Sequence, residues 1–222
     1  MTVKKNRLPG KQLLITAGPT REPLDAVRFL SNPSTGKMGF CLAAAAAKRG
    51  ARVTLVSGPT QLPPPAGVAF KRVNTTREML RAVRAAWEAT DIFIAAAAPA
   101  DYRPEATIPG KLKKADNANL SLLLLRNPDI LKEMSRKKGQ RVLVGFAGEV
   151  DKLTSRALGK LREKQLDLIV ANDLTQPGAG FAAETNEVTI IYPGGKREIL
   201  PRMRKEQVAE HILTRIEAIL KQ

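Results

Sequence analysis

Short continuous apolar runs alternate along this chain with segments whose apolar residues recur every three to four positions. The runs predict β-strands at 12–17, 51–57, 68–73, 91–97, 141–147 and 167–171. Several lack the polar alternation of a half-exposed strand, the pattern of a sheet covered on both faces. The helical period predicts helices at 36–49, 76–89, 128–137, 152–164 and 204–221. Gly50 supplies a stop after the first helix, and Thr75 or Thr76 with Glu78 supplies a start for the second. Near the end, 187–192 and 196–200 flank Pro193-Gly194-Gly195 and predict a C-terminal β-hairpin. Strand and helix in alternation imply an α/β fold: a doubly wound, mostly parallel, Rossmann-like sheet. The reading is of one domain over 1–222, with 1–11 as a basic N-terminal extension. Only 99–120 breaks the rhythm. It is polar, bears lysines and is too long for an ordinary connection, so a mobile functional loop is expected there.

The first strand feeds a polar, turn-rich loop, and a helix opens at Ser34-Thr35-Gly36-Lys37. A strand, a loop and a helix N-terminus in that order form a phosphate-binding layout, because the unpaired N–H groups of the first turn attract anions. Neither familiar phosphate fingerprint fits. A P-loop would need glycine where Ser31 stands and Ser or Thr where Met38 stands, and no G-x-G-x-x-G occurs. A phosphate site of a third kind is expected.

Composition narrows the chemistry. Hydrophobic residues form 43% of the 222, enough for a sizeable core, while aromatics form only 4%, so packing must rest on Ala, Leu, Val and Ile. No apolar run approaches the roughly 18 residues of a membrane helix, and the N-terminus lacks the apolar stretch of a secretory signal. A cytoplasmic protein without a membrane partner is expected. The single cysteine, Cys41, excludes an internal disulfide and reads as a core thiol within an Ala-rich helix. His211 is the only histidine, which removes Ser–His and Cys–His catalysis. Lys and Arg number 37 against 21 Asp and Glu, a net +16 that suits polyanionic ligands. The basic residues are scattered and not interleaved with aromatics, so a nucleic-acid partner is not implied.

Ligands of open α/β sheets bind beyond the carboxyl ends of the strands. The residues there are Gly18-Pro19-Thr20, Ser57-Gly58, Pro99 to Tyr102 leading to Lys111, Lys113 and Lys114, Gly148-Glu149, and Asn172-Asp173. An NAD site wants an acidic residue after the second strand, where Ser57-Gly58 stands. NADP is less firmly excluded, and an NADP-dependent reductase is the alternative reading. It lacks a Tyr-x-x-x-Lys pair, since Ala106 follows Tyr102 by four residues. The loops offer backbone N–H groups, lysines, asparagines and isolated carboxylates, which suit phosphate chemistry and include no obvious covalent nucleophile.

Taken together, ITAGPTREPLDAVRFLSNPSTGKMG, APADYRP, GKLKK, NPDIL, VGFAGE and ANDL resemble the bacterial phosphopantothenate–cysteine ligase family, also called phosphopantothenoylcysteine synthetase, from about Leu13 to Leu220. The resemblance implies a ligase of coenzyme A biosynthesis. CTP with Mg2+ would activate 4′-phosphopantothenate as an acyl-cytidylate with release of pyrophosphate, and L-cysteine would then displace CMP. It implies catalytic roles for Asn32, in conversion of the acyl intermediate, and for Lys111, at the triphosphate. It implies CTP contacts from Asp101, Lys111, Pro128, Asp129, Ile130, Leu131, Phe146, Lys160 and Lys164, and a substrate or phosphate loop of Ser34, Thr35, Gly36 and Lys37. Asn127 is expected to cap the helix that Pro128 opens. A homodimer is implied, as is a separate decarboxylase partner, since many relatives are fusions whose flavin half is not in this sequence; no flavin is implied. Gly148 departs from the second alanine expected in VGFAGE. The metal ligands are left open.

Overall fold

Within the first strand, Leu13, Ile15 and Ala17 pack into one apolar cluster while Leu14 packs into another on the opposite side. A strand buried on both faces needs a helix layer on each, and the chain supplies them. The computed structural model describes residues 8–113, 119–149, 153–173 and 183–221. Its strands are β1 (Gln12–Ala17), β2 (Arg21–Pro23), β3 (Phe29–Ser31), β4 (Arg52–Ser57), β5 (Val68–Arg72), β6 (Ile92–Ala95), β7 (Tyr102–Pro104), β8 (Leu124–Arg126), β9 (Val142–Glu149), β10 (Leu168–Asp173), β11 (Thr185–Ile191) and β12 (Arg197–Arg204). Its helices are α1 (Lys37–Lys48), α2 (Thr76–Ala86), α3 (Ile130–Ser135), α4 (Leu153–Glu163) and α5 (Lys205–Ile219).

Eight strands form the main sheet in the order β12-β11-β10-β9-β6-β1-β4-β5. The six from β10 to β5 run parallel, and β11 and β12 add an antiparallel edge. Counted among themselves, the parallel strands follow the doubly wound order 3-2-1-4-5-6, whose switch point lies between β1 and β6. α1 and α5 cover one face, and α2, α3 and α4 cover the other. The alanine-rich α1 lies directly on β1: a Cβ on Gly39 would come within 2.5 Å of the Ala17 Cβ. Small residues at this contact let helix and strand approach closely. Gly50, at φ +83°, ends α1 as expected. No helix among the described residues is long and apolar enough to cross a membrane.

The fold class agrees with the sequence reading, and the C-terminal hairpin is present as β11 and β12. Three details differ. β2 and β3 form a small antiparallel hairpin inside the first loop, and β7 and β8 form another. Second, the stretch expected to be a free loop from 99 contains β7 and is tied to β2–β3. The N–H of Ile108 donates to the Leu24 carbonyl (2.9 Å), and the N–H of Ala26 donates to the Gly110 carbonyl (3.0 Å). Third, α3 starts two residues late, because Asp129 rather than Asn127 is its cap: Asp129 Oδ1 accepts the Lys132 N–H (2.9 Å). Lys114 and residues 1–7 of the N-terminal extension lie outside the described residues.

Candidate active site

The loops after β1 and β6 carry the site, and a buried hydrogen-bond chain holds them together. The N–H of Ala100 donates to Thr20 Oγ1 (2.9 Å), Thr20 Oγ1 meets Thr76 Oγ1 (2.9 Å), and Thr76 Oγ1 donates to Glu22 Oε1 (2.8 Å). Asn127, buried and freed from capping, donates from Nδ2 to the Ala100 carbonyl (2.9 Å). Each polar group in this chain finds a partner, which makes the network rigid rather than costly. It locks the β1 loop, the start of α2, the β6 loop and the entry to α3 into one frame.

Two clefts open on that frame. The first, of about 660 Å³, is lined by Asp101, Arg126 and the run from Asn127 to Lys132, with Phe146, Glu163 and Lys164. Its charges come in pairs. Lys164 Nζ lies 2.7 Å from Asp129 Oδ2, and Lys132 Nζ lies 2.6 Å from Glu163 Oε1. Burial works to raise the Asp129 pKa, but the Lys164 ammonium and the Lys132 N–H outweigh it and hold the carboxyl below its ordinary value. Asp129 thus caps α3 and anchors Lys164 with the same carboxylate.

The second cleft, of about 270 Å³, lies at the head of α1. Ser34, Thr35, Gly36 and Lys37 line one side, and Lys160, Asn172, Asn186 and Lys205 line the other. Gly36 caps α1 at φ +80° with no side-chain cap on the helix, so first-turn N–H groups face the cleft mouth. Lys37 is ion-paired with Glu184, which raises its pKa. Burial instead pushes the Lys205 ammonium down. Cys41, beneath Lys37, is half-buried, and burial pushes its thiol up to about 11, so it is no nucleophile at neutral pH.

Ala97, Pro99 and Phe146 line both clefts and form the wall between them. Asn32 lines neither cleft but is tied to this wall from behind: its Nδ2 donates to the carbonyls of Ala98 (3.2 Å) and Pro99 (3.0 Å). An amide can act on a substrate oxygen through a free N–H or on a substrate donor through its oxygen. In the structure both N–H bonds are already spent, so the end left to act is the Oδ1 acceptor.

Of the residues named from sequence, Asp101, Pro128, Asp129, Ile130, Leu131, Phe146 and Lys164 come together in the first cleft, and Ser34 to Lys37 with Lys160 in the second. Lys160 and Lys164, one turn apart, therefore serve different clefts. Lys111 lines neither. Its neighbour Leu112 donates its N–H to Asp25 Oδ2 (3.0 Å), and Arg28 grips the same carboxylate. The Arg28 guanidinium, against the opposing effect of burial and with help from three backbone N–H groups, holds the Asp25 carboxyl well below the usual range. This clasp pins the base of the Lys111 segment.

A family model described as the DNA/pantothenate metabolism flavoprotein C-terminal domain matches residues 8–220. The chain belongs to this family. It is 49% identical over 216 residues to the coenzyme A biosynthesis bifunctional protein CoaBC of Bacillus subtilis (strain 168), covering 97% of this chain and 53% of that protein. It is 45% identical over 214 residues to CoaBC of Escherichia coli (strain K12), covering 95% and 52%. The chain thus spans about half the length of these relatives. A crystal structure of the C-terminal domain of CoaBC matches with TM-score 0.83 and 41% identity, over 97% of this chain and 98% of that one.

Sequence reasoning gave Thr20 only as a strand-end loop residue and Thr76 and Asn127 only as helix caps, and it passed over Glu22, Asn186 and Lys205. Thr20, Glu22, Thr76 and Asn127 form the buried frame, and Asn186 and Lys205 line the second cleft. One signal was present for Asn186. In TNEVTII the inward positions are 186, 188 and 190, and an amide stands where the alternation calls for an apolar residue. Its Oδ1 is buried with no hydrogen-bond partner among the described residues, a state that costs about 1–3 kcal/mol in a folded protein.

Proposed function

We propose that the chain joins 4′-phosphopantothenate to L-cysteine, using CTP and Mg2+. What carries the reading is the pair of clefts meeting at one wall beside the switch point, with Asn32 tied to that wall. The larger cleft suits the nucleoside, with Asp101 and the 128–131 backbone as its polar contacts and Phe146 as its apolar wall. The smaller suits a phosphate, since it joins a helix N-terminus to lysines. A substrate with phosphate at one end and carboxylate at the other would place its carboxylate at the wall, next to the α-phosphate of CTP. Its oxygen attacks the α-phosphorus and pyrophosphate leaves. The cysteine amine then attacks the acyl carbon and CMP leaves. Asn32 Oδ1 is placed to accept a hydrogen bond from that amine and orient its lone pair. Lys111, carried over on its segment, would neutralise charge developing on pyrophosphate.

Mg2+ fits as an ion carried by the triphosphate. Among the described residues no group of three or more His, Cys, Asp or Glu side chains could hold a metal. With Asp129 and Glu163 tied to lysines and Asp101 assigned to the nucleoside, the ion would be held chiefly by the phosphates themselves. The ion would supply charge neutralisation on the phosphates.

A homodimer is part of the proposal. Val27 and Phe29 on the first small hairpin, and Leu122 to Leu125 leading into the second, are exposed, Leu123 at 63%. A run of exposed apolar side chains of this kind marks an interface. The NADP reductase reading loses ground at Gly58, where a Cβ would lie 1.6 Å from the Pro19 carbonyl oxygen. The β1 and β4 loops are in contact here, which leaves no room for a side chain at the end of the second parallel strand.

The test is a pyrophosphate assay across all four nucleoside triphosphates. Release only with CTP, Mg2+ and 4′-phosphopantothenate together, and amide formation on adding cysteine, is the expected result. No release under any combination would refute the reading.

A further inference from the structure

The second cleft contains a feature that phosphate binding does not explain. Asn186 Oδ1 is an acceptor, buried in a residue only 6% exposed, and it has no partner among the described residues. A phosphate brings only acceptors at neutral pH, so the lysines and the α1 N-terminus can serve it, whereas Asn186 Oδ1 would repel it. The fold keeps an amide here at a position where β11 otherwise buries Val188 and Ile190. The strand pairing also shifts at this point: Asn186 pairs with Met203 but Val188 pairs with Leu200, so β12 carries an extra residue. A bulge of this kind bends the strand and re-aims neighbouring side chains, and bulges gather beside active sites.

We propose that Asn186 is a specificity residue of the second cleft, accepting a hydrogen bond from a neutral donor of the substrate that lies a few atoms from its phosphate. The cleft, at about 270 Å³, has room for the phosphate end of a long substrate rather than for all of it. The donor must therefore be near that end. On the ligase reading, on which this assignment rests, the nearest donor along the chain from the phosphate of 4′-phosphopantothenate is the secondary hydroxyl of its pantoyl unit. A buried acceptor built for a hydroxyl rejects the analogue lacking it, because the acceptor is then left unpaired.

The experiment uses the full chain and measures thermal protection and affinity for three probes: 4′-phosphopantothenate, its analogue without the secondary hydroxyl, and CTP. The wild type is expected to bind the deoxy analogue about 10- to 100-fold more weakly than the parent. Asn186→Leu is expected to bind both equally weakly, to keep its CTP protection, and to melt no lower than wild type without ligand, since it removes an unpaired buried oxygen. Asn186→Ser keeps a smaller acceptor and is expected to recover part of the discrimination; it also serves if the leucine variant misfolds. A wild type that binds parent and analogue alike, or an Asn186→Leu that still discriminates between them, overturns the proposal. Failure is distinguishable from that of the ligase reading: a wild type protected by neither CTP nor 4′-phosphopantothenate overturns that reading, and with it the substrate named here.

Discussion

The two clefts share a wall but offer a ligand different groups. In the first, Asp129 meets Lys164 and Glu163 meets Lys132, so the surface is close to neutral before any ligand arrives. In the second, Lys37, itself paired with Glu184, stands at a helix N-terminus with Lys160, Lys205 and a buried amide oxygen that has no partner among the described residues. Paired charges give a shaped surface on which a base and sugar can be placed by directional contacts. A cluster of cations under partial burial stores electrostatic potential, which a dianionic phosphate then relieves. Burial lowers the Lys205 pKa, an effect that a bound anion would oppose. On the proposed reading, the first cleft would recognise its ligand by directional contacts on a surface of paired charges, and the second by lysines, a helix N-terminus and an amide acceptor.

Five experiments break or sharpen this contrast. The largest effect is expected for Lys111→Ala, which should slow pyrophosphate release by about 10²- to 10³-fold, the usual loss when a group stabilising transition-state charge is removed. An unchanged rate would place the triphosphate in the second cleft or elsewhere. Next, Asn32→Asp should leave pyrophosphate release largely intact while amide formation drops by about 10²-fold. Equal loss of both steps would show that the shared wall serves both half-reactions alike.

A smaller effect is expected for Lys164→Met, which should raise the CTP dissociation constant about tenfold and leave 4′-phosphopantothenate binding unchanged, as titrations of each ligand would show. The ion pair also has a pH signature. Asp129 has a folded pKa below its unfolded value, so its contribution is present above about pH 4 and is lost as pH falls through the lowered folded value. Melting of wild type and Asp129→Asn across pH 3–8 should therefore show a gap that is flat from pH 5 upward and closes in acid. A gap that grew in acid would contradict the pairing. The smallest effect is expected for Asp25→Asn, which loosens the clasp on Leu112. Tryptic cleavage after Lys111 and Lys113 should accelerate a few-fold with little change in global melting, and unchanged cleavage would show that the backbone bonds at Ile108 and Gly110 hold the segment alone.

Legibility in the sequence followed the length of the signal. The six parallel strands and five helices could be placed from periodicity, because a buried strand or an amphipathic helix repeats its pattern several times. β2, β3, β7 and β8, at three residues each, are too short to show a period, and they turned an expected free loop into a clasped one. Asn127 was misread as a cap because Asn and Asp are both good N-caps; the choice went to Asp129 once Asn127 was needed by the Ala100 carbonyl.

By itself the sequence determined the layers and strand type of this protein, because apolar alternation records how many faces of each element are buried. It also placed the candidate site residues largely on loops following strands, where an open parallel sheet exposes its unpaired backbone groups. Only the tertiary structure decided how those residues divide between clefts, sending Lys160 one way and Lys164 the other across Phe146. It alone showed that the Asn32 N–H groups are spent and that Asn186 Oδ1 is not. Hydrogen-bond satisfaction depends on partners 66 and 67 residues away, as for Asn32, and no local pattern carries that information.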